Sequence, residues 1–164
     1  MIFRLIVLFA VCVSAAFAVP PKKDAAAKDS QKQLVHWMGY AEALEKAKSA
    51  PRLIFVDLYA DWCVPCRIMD ANVYSNPTVA SLLNTRFIST KLDVDSQDTI
   101  TCDGKRKTVQ RCYFDVWKLS VLPAFVLIAP KGLSIMTIKD SFTAEEMKYL
   151  LYQILEKEKE WISK

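Results

Sequence analysis

An apolar run that ends in a closely spaced cysteine pair constrains this chain most. Leu53-Ile-Phe-Val-Asp-Leu-Tyr59 leads into Ala-Asp-Trp62-Cys63-Val-Pro-Cys66, and a helix-forming stretch follows from Arg67 to Val73. A short apolar run of this kind is typical of a strand covered on both faces. The junction therefore predicts a strand, a tight turn and a helix, with both thiols at the helix N-terminus. Unpaired backbone N–H groups and the helix dipole stabilise a thiolate there, and the thiolate is the nucleophile of thiol–disulfide exchange. The arrangement points to redox chemistry rather than to a purely structural bridge.

The first eighteen residues form a separate unit. Arg4 is their only charge, Leu5 to Phe17 is almost wholly apolar, and Ala16-Phe17-Ala18 offers a small-x-small cleavage site ahead of Val19-Pro20. The expectation is a secretory signal at 1–18, cleaved after Ala18, with an uncleaved N-terminal membrane anchor as the alternative. The apolar stretch is short for a helix that crosses a hydrocarbon core of roughly 30 Å. Cys12 follows Val11 rather than a small residue, which argues against a lipoprotein signal. Residues 19–33 carry Lys22, Lys23 and Lys28 among alanines and read as a flexible leader.

Residues 34–164 then make up one domain, roughly 130 residues and enough for a single core. Without Arg4 the 22 basic and 18 acidic side chains become 21 and 18, a net charge of +3. That mild, scattered excess argues against a nucleic-acid partner. Export into an oxidising compartment makes Cys63, Cys66, Cys102 and Cys112 candidates for two disulfides. Spacing ranks 63–66 and 102–112 as the local pairs. The sole histidine, His36, lies beside Trp37 in the approach to the first helix and is not a candidate ligand or base. No metal site is expected. Arg67 after Cys66 excludes a c-type haem attachment.

The remaining pattern supplies a fold class. Gly39 to Lys48 reads as a surface helix ending before Pro51, and Asn76-Pro77 as an N-cap opening a helix through Leu83. Arg86 to Val94 reads as a second strand. Ala124 to Ile128, the Pro130-Lys-Gly132 turn and Leu133 to Ile138 read as an antiparallel hairpin. Thr143 and Glu146 form a capping box ahead of a stripe made by Met147, Leu150, Leu151, Ile154 and Leu155. This order predicts an α/β protein with a central mixed sheet and helices on both faces.

Four features together resemble the thioredoxin superfamily over about Val35 to Ile154. They are Trp62-Cys63-Val-Pro-Cys66, Asp57 six residues before Cys63, Lys91-Leu-Asp93-Val-Asp95 on the next strand, and Val121-Leu122-Pro123-Ala124 ahead of the hairpin. The chain is most similar to exported thioredoxin-like domains such as the C-terminal domain of the disulfide interchange protein DsbD. The resemblance implies that Asp57 is a buried proton acceptor near Cys66 and that Lys91 is its partner. It also implies a cis bond after Leu122, with Leu122 and Pro123 facing the disulfide, where the Leu122 backbone pairs with an extended client segment. Trp62 would cover the active-site helix and border the same client surface. Cys63 is expected to be the more exposed thiol and to attack, with Cys66 resolving the mixed disulfide. Val64 departs from the Gly-Pro dipeptide of thioredoxins, while Pro65 keeps its proline.

The chain departs from a minimal thioredoxin by an insertion at about 96–112, which holds Cys102 and Cys112 around an Asp103-Gly104 turn. A small hairpin closed by a structural Cys102–Cys112 bridge is expected. A relay of electrons to Cys63–Cys66 and a four-cysteine zinc site are the alternatives. Lys105, Arg106, Lys107 and Arg111 make the segment locally basic.

Taken together, these features predict an exported, periplasmic-type thiol–disulfide oxidoreductase that reduces disulfides in other exported proteins. It would use no cofactor beyond the Cys63–Cys66 disulfide, and the resemblance implies a membrane electron donor of the DsbD type. An oxidase or isomerase on the same fold, and a non-catalytic binding or chaperone module, are the rival readings.

Overall fold

The computed structural model describes residues 34–162. The expected signal at 1–18 and leader at 19–33 lie outside these residues. Among the described residues no helix is long and apolar enough to cross a membrane.

Four strands make the main sheet in the order β2-β1-β5-β6. Strand β1 (Ile54–Tyr59) runs parallel to β2 (Ile88–Asp93) and antiparallel to β5 (Ala124–Ile128), which pairs antiparallel with β6 (Ser134–Ile138). The mixed sheet expected from the element order is present. The β5–β6 turn uses Gly132 at φ +88°, a conformation open to glycine at little steric cost.

Alternation along β1 divides the core in two. Ile54, Val56 and Leu58 face helix α1 (Tyr40–Ser49), whose Ala43 and Ala47 lie one turn apart and allow close approach to the sheet. Leu53 and Phe55 face helices α2 (Val64–Asn72), α3 (Pro77–Arg86) and α5 (Ala144–Glu156). Phe55 stacks on Phe125 of the neighbouring strand at 5.4 Å between ring centroids. A short helix, α6 (Glu158–Ile162), closes this face with Trp161.

The helix boundaries follow local chemistry. Asn76 caps α3 by accepting from the backbone N–H groups of Thr78 and Val79, with Pro77 at the first helical position. Thr143 and Glu146 form the reciprocal capping box of α5. Two boundaries differ from expectation. Helix α3 continues to Arg86, so β2 begins at Ile88 rather than Arg86, because the Phe87 N–H still reaches the Leu83 carbonyl. Helix α2 begins at Val64, three residues before Arg67, because Cys63 itself supplies the cap.

The insertion folds as a two-stranded hairpin, β3 (Thr99–Cys102) and β4 (Lys105–Thr108). Asp103 and Gly104 both take positive φ, at 47° and 74°, as the tight turn requires. A single helical turn, α4 (Val109–Arg111), and a π-turn over Cys112–Val116 then lead back to the sheet. Cys102 and Cys112 are fully buried and joined by a disulfide within the α1-side core. The hairpin is tied at two further places. The Tyr40 hydroxyl donates to the Thr101 carbonyl, and the Asp103 carboxylate accepts from both the backbone N–H and the hydroxyl of Ser134, at 2.5 and 2.6 Å.

Candidate active site

Strand β1 delivers the chain to the reactive pair. After Tyr59 the backbone turns tightly, with the Cys63 N–H bonded to the Ala60 carbonyl, and α2 starts at Val64 with Pro65 in its first turn. Cys63 is the N-cap residue, and its sulfur accepts the Cys66 N–H at 3.2 Å. Cys63 and Cys66 form a disulfide with their Cα atoms 5.3 Å apart. The Cys66 N–H of the first turn thus points at sulfur, where it and the helix dipole favour negative charge once the bond opens.

In the disulfide both cysteines are buried, and Cys63 does not stand out as the more exposed. Cys63 is 2 % exposed and Cys66 5 %. The Cys63 sulfur caps the first helical turn.

Asp57 lies in the middle of β1 between Phe125 of β5 and Lys91 of β2, and is 3 % exposed. Burial pushes its carboxyl up to about 6. Lys91 partly offsets this, with its ammonium 3.3 Å from Asp57 Oδ2, and so does Tyr74, while Asp70 adds to the rise. The Lys91 ammonium is shared, since it also pairs with the Asp70 carboxylate. It sits over three rings, with Tyr59 at 4.9 Å and Trp37 and Tyr74 at 5.6 Å, where cation–π attraction holds it. The buried Tyr74 hydroxyl has no hydrogen bond of ordinary geometry. Burial first, and the Asp57 charge second, hold it well above the usual phenol range.

The other site residues converge on the same end of the sheet. Ala124 pairs with Leu58, so Leu122 and Pro123 arrive beside the strand end from which the Ala60–Cys63 turn departs. The Leu122–Pro123 peptide bond is cis. Pro123 is buried, Leu122 half-buried and Val121 exposed. Trp62 is 66 % exposed, and its indole N–H donates to Asp95 at 2.7 Å, which fixes the ring at the rim. Cys102 and Cys112 share the α1-side core with Cys63 and Cys66 but are joined only to each other. Among the described residues no group of three or more His, Cys, Asp or Glu is arranged to hold a metal ion.

Sequence reasoning missed Asp70 and Tyr74. Asp70 carried a usable signal, because it stands four residues after Cys66 and so shares its helix face. Tyr74 lies just beyond the helix, where spacing along the chain carries no such information. The site thus places a disulfide at a helix N-terminus just beyond the strand that buries Asp57, whose carboxyl burial pushes up to about 6.

Comparison with known proteins agrees with this geometry. The family described as Thioredox_DsbH, a protein of unknown function, DUF255, matches residues 22–159. The thiol:disulfide interchange protein DsbD 2 of Pseudomonas aeruginosa is 32 % identical over 90 residues, which are 54 % of this chain and 14 % of that protein. The thiol:disulfide interchange protein DsbD of Pseudomonas fluorescens is 35 % identical over 91 residues, 55 % of this chain and again 14 % of the relative. The chain therefore spans only a small part of the length of these curated relatives. A thioredoxin from Thermus thermophilus superposes with a TM-score of 0.60 at 27 % identity, covering 75 % of this chain and 88 % of the other. A structure described as DsbH oxidoreductase gives 0.59 at 17 % identity, over 75 % and 85 %, a likeness of fold alone. The chain belongs to the Thioredox_DsbH family, within the thioredoxin superfamily.

Proposed function

We propose that this protein reduces disulfides in other exported proteins through Cys63 and Cys66. The observation that carries the reading is the Cys63–Cys66 disulfide at the N-cap of α2, just beyond the strand that buries Asp57, a carboxyl pushed up to about 6. In the reduced protein the Cys63 thiolate attacks one sulfur of a client disulfide, forming a mixed disulfide and releasing the other client sulfur as a thiolate. Asp57 takes the Cys66 proton, and the Cys66 thiolate attacks the Cys63 sulfur. The client leaves with two thiols, and the protein keeps a Cys63–Cys66 disulfide. Lys91 holds the Asp57 charge, Trp62 borders the client surface, and the Leu122 backbone ahead of Pro123 pairs with an extended client segment. The Cys102–Cys112 bridge is structural.

Export is part of the proposal. It rests on the apolar segment at 1–18 and on a family match that starts at residue 22, past the expected cleavage site. A membrane donor of the DsbD type would restore the two electrons. Pro65 between the cysteines favours reduction over oxidation.

Equilibration with glutathione tests the direction. A potential near thioredoxin's, about −270 mV, supports the reductase, while one near about −120 mV overturns it in favour of an oxidase. Cys66→Ser should trap clients as mixed disulfides on Cys63. Client binding that persists without such a trapped species would favour a non-catalytic binding module instead.

A further inference from the structure

The loop that leads to Leu122 is held from an unexpected side. Between the π-turn and β5 the chain passes through Lys118, at a φ of +54°, and then Leu119 and Val121 before the cis bond. Tyr113, in the π-turn directly after Cys112, engages this loop twice. Its backbone carbonyl accepts the Leu119 N–H at 2.9 Å, and its side-chain hydroxyl donates to the Val121 carbonyl, also at 2.9 Å. The Lys139 ammonium holds the Lys118 carbonyl from β6's far end at 3.2 Å.

Tyr113 is itself well fixed. It is 3 % exposed, its ring meets Phe114 edge-on at 4.8 Å, and the neighbouring Cys112 is bridged to the insertion hairpin. Burial raises its phenol above the ordinary range, so the hydroxyl remains a donor at working pH. By contrast Val121 is half-exposed, at 50 %, and lies outside the sheet. A carbonyl bonded on one side fixes the plane of the peptide that follows it. Holding the Val121 carbonyl therefore sets the direction of the Leu122 N–H, and with it the edge that an incoming strand would meet.

We propose that Tyr113 is a positioning residue for client docking, its hydroxyl aligning the Val121–Leu122 peptide for pairing with an extended segment of a disulfide-bearing polypeptide. The insertion then has a function beyond covering the core, since it carries the brace for the client-binding backbone. This inference rests on the reading of Leu122 as the strand that pairs with the client.

The test compares two oxidants of the reduced full chain in single-turnover experiments. One is a peptide with a cystine inside an extended apolar segment, and the other is hydroxyethyl disulfide, which has no backbone to pair. In both reactions the Cys63 and Cys66 thiols become a disulfide and the oxidant becomes two thiols, two electrons and two protons being transferred. Tyr113→Phe should raise the half-saturating peptide concentration about 3- to 10-fold, the range of one net hydrogen bond, with the limiting rate unchanged. Its rate with hydroxyethyl disulfide should match that of the wild type. Lys139→Met, which releases the Lys118 carbonyl of the same loop, should give a smaller change of the same kind. It serves as the readout if Tyr113→Phe does not fold.

If both variants bind the peptide as the wild type does, or if Tyr113→Phe slows the two oxidants equally, the role of Tyr113 is overturned while the proposed site stands. If the wild type itself reacts with the peptide without saturation and no faster than with hydroxyethyl disulfide, the pairing role of Leu122 fails, and the inference with it.

Discussion

Asp57 is an acid built into a strand whose neighbours Val56 and Leu58 are completely buried, and the cost appears in its proton affinity. A carboxyl raised to about 6 in the folded state, against about 4 in the unfolded chain, binds more protons folded than unfolded between those values. Its stabilising contribution is complete below about pH 4 and is lost as the pH rises through about 6, a span of about 3 kcal/mol. Asp57→Asn should therefore be more stable than the wild type at pH 7.5 by about 1–3 kcal/mol, with the difference closing near pH 4. Urea unfolding at both pH values checks this, and a constant difference would contradict it. The neighbours of Asp57 make opposite predictions. Lys91→Met removes the cation that lowers the Asp57 carboxyl, so the midpoint of the pH–rate profile for client reduction should move up. Asp70→Asn removes a charge that raises it and frees the Lys91 ammonium, so the midpoint should move down. Single-turnover rates between pH 5 and 9 would read both shifts, on the scale of about 1 pH unit or less.

At the level of elements, the parts set by local chemistry were legible and those set by distant contacts were not. Asn76-Pro77 and the Thr143–Glu146 pair carry their own hydrogen-bond partners within one turn, so the starts of α3 and α5 could be read directly. The buried run of β1 and the Asp103-Gly104 turn are similarly local. The π-turn at Cys112–Val116 has no such signature, because a buried disulfide and the tie to Val121 shape it. The site divides along the same line. Cys63, Cys66 and Asp57 follow from their spacing on one strand–helix junction. Asp70, Tyr74 and Tyr113 gain their significance only when α2 and the insertion fold back. The bridge of the insertion joins residues 10 apart, and closing so short a loop is worth about 2–3 kcal/mol by restricting the unfolded chain. Paired Cys102→Ser and Cys112→Ser changes should lower stability by that amount under oxidising conditions. Thermal unfolding would show it, and unchanged stability would remove the structural role proposed for the bridge.

For the whole molecule, the mixed sheet separates two cores, and the redox pair belongs to the one beneath α1 and the insertion, while Asp57 and Lys91 lie on strand neighbours at the other. The alternation of β1 explains this division, since residues one apart necessarily face opposite layers. The Asp103–Ser134 contact joins the hairpin tip to β6, across 31 residues of sequence. Inserted hairpins are ordinarily the first part of a domain to open, fraying from the tip while the body stays closed. Here the tip is anchored in the body, so the segment has no free end from which to fray. Amide hydrogens of β3 and β4 should exchange only with the opening of the main sheet, at rates close to those of β5, and faster exchange confined to the hairpin would argue otherwise. On the expected outcome the insertion melts with the domain as one unit, held at its tip by the Asp103–Ser134 contact.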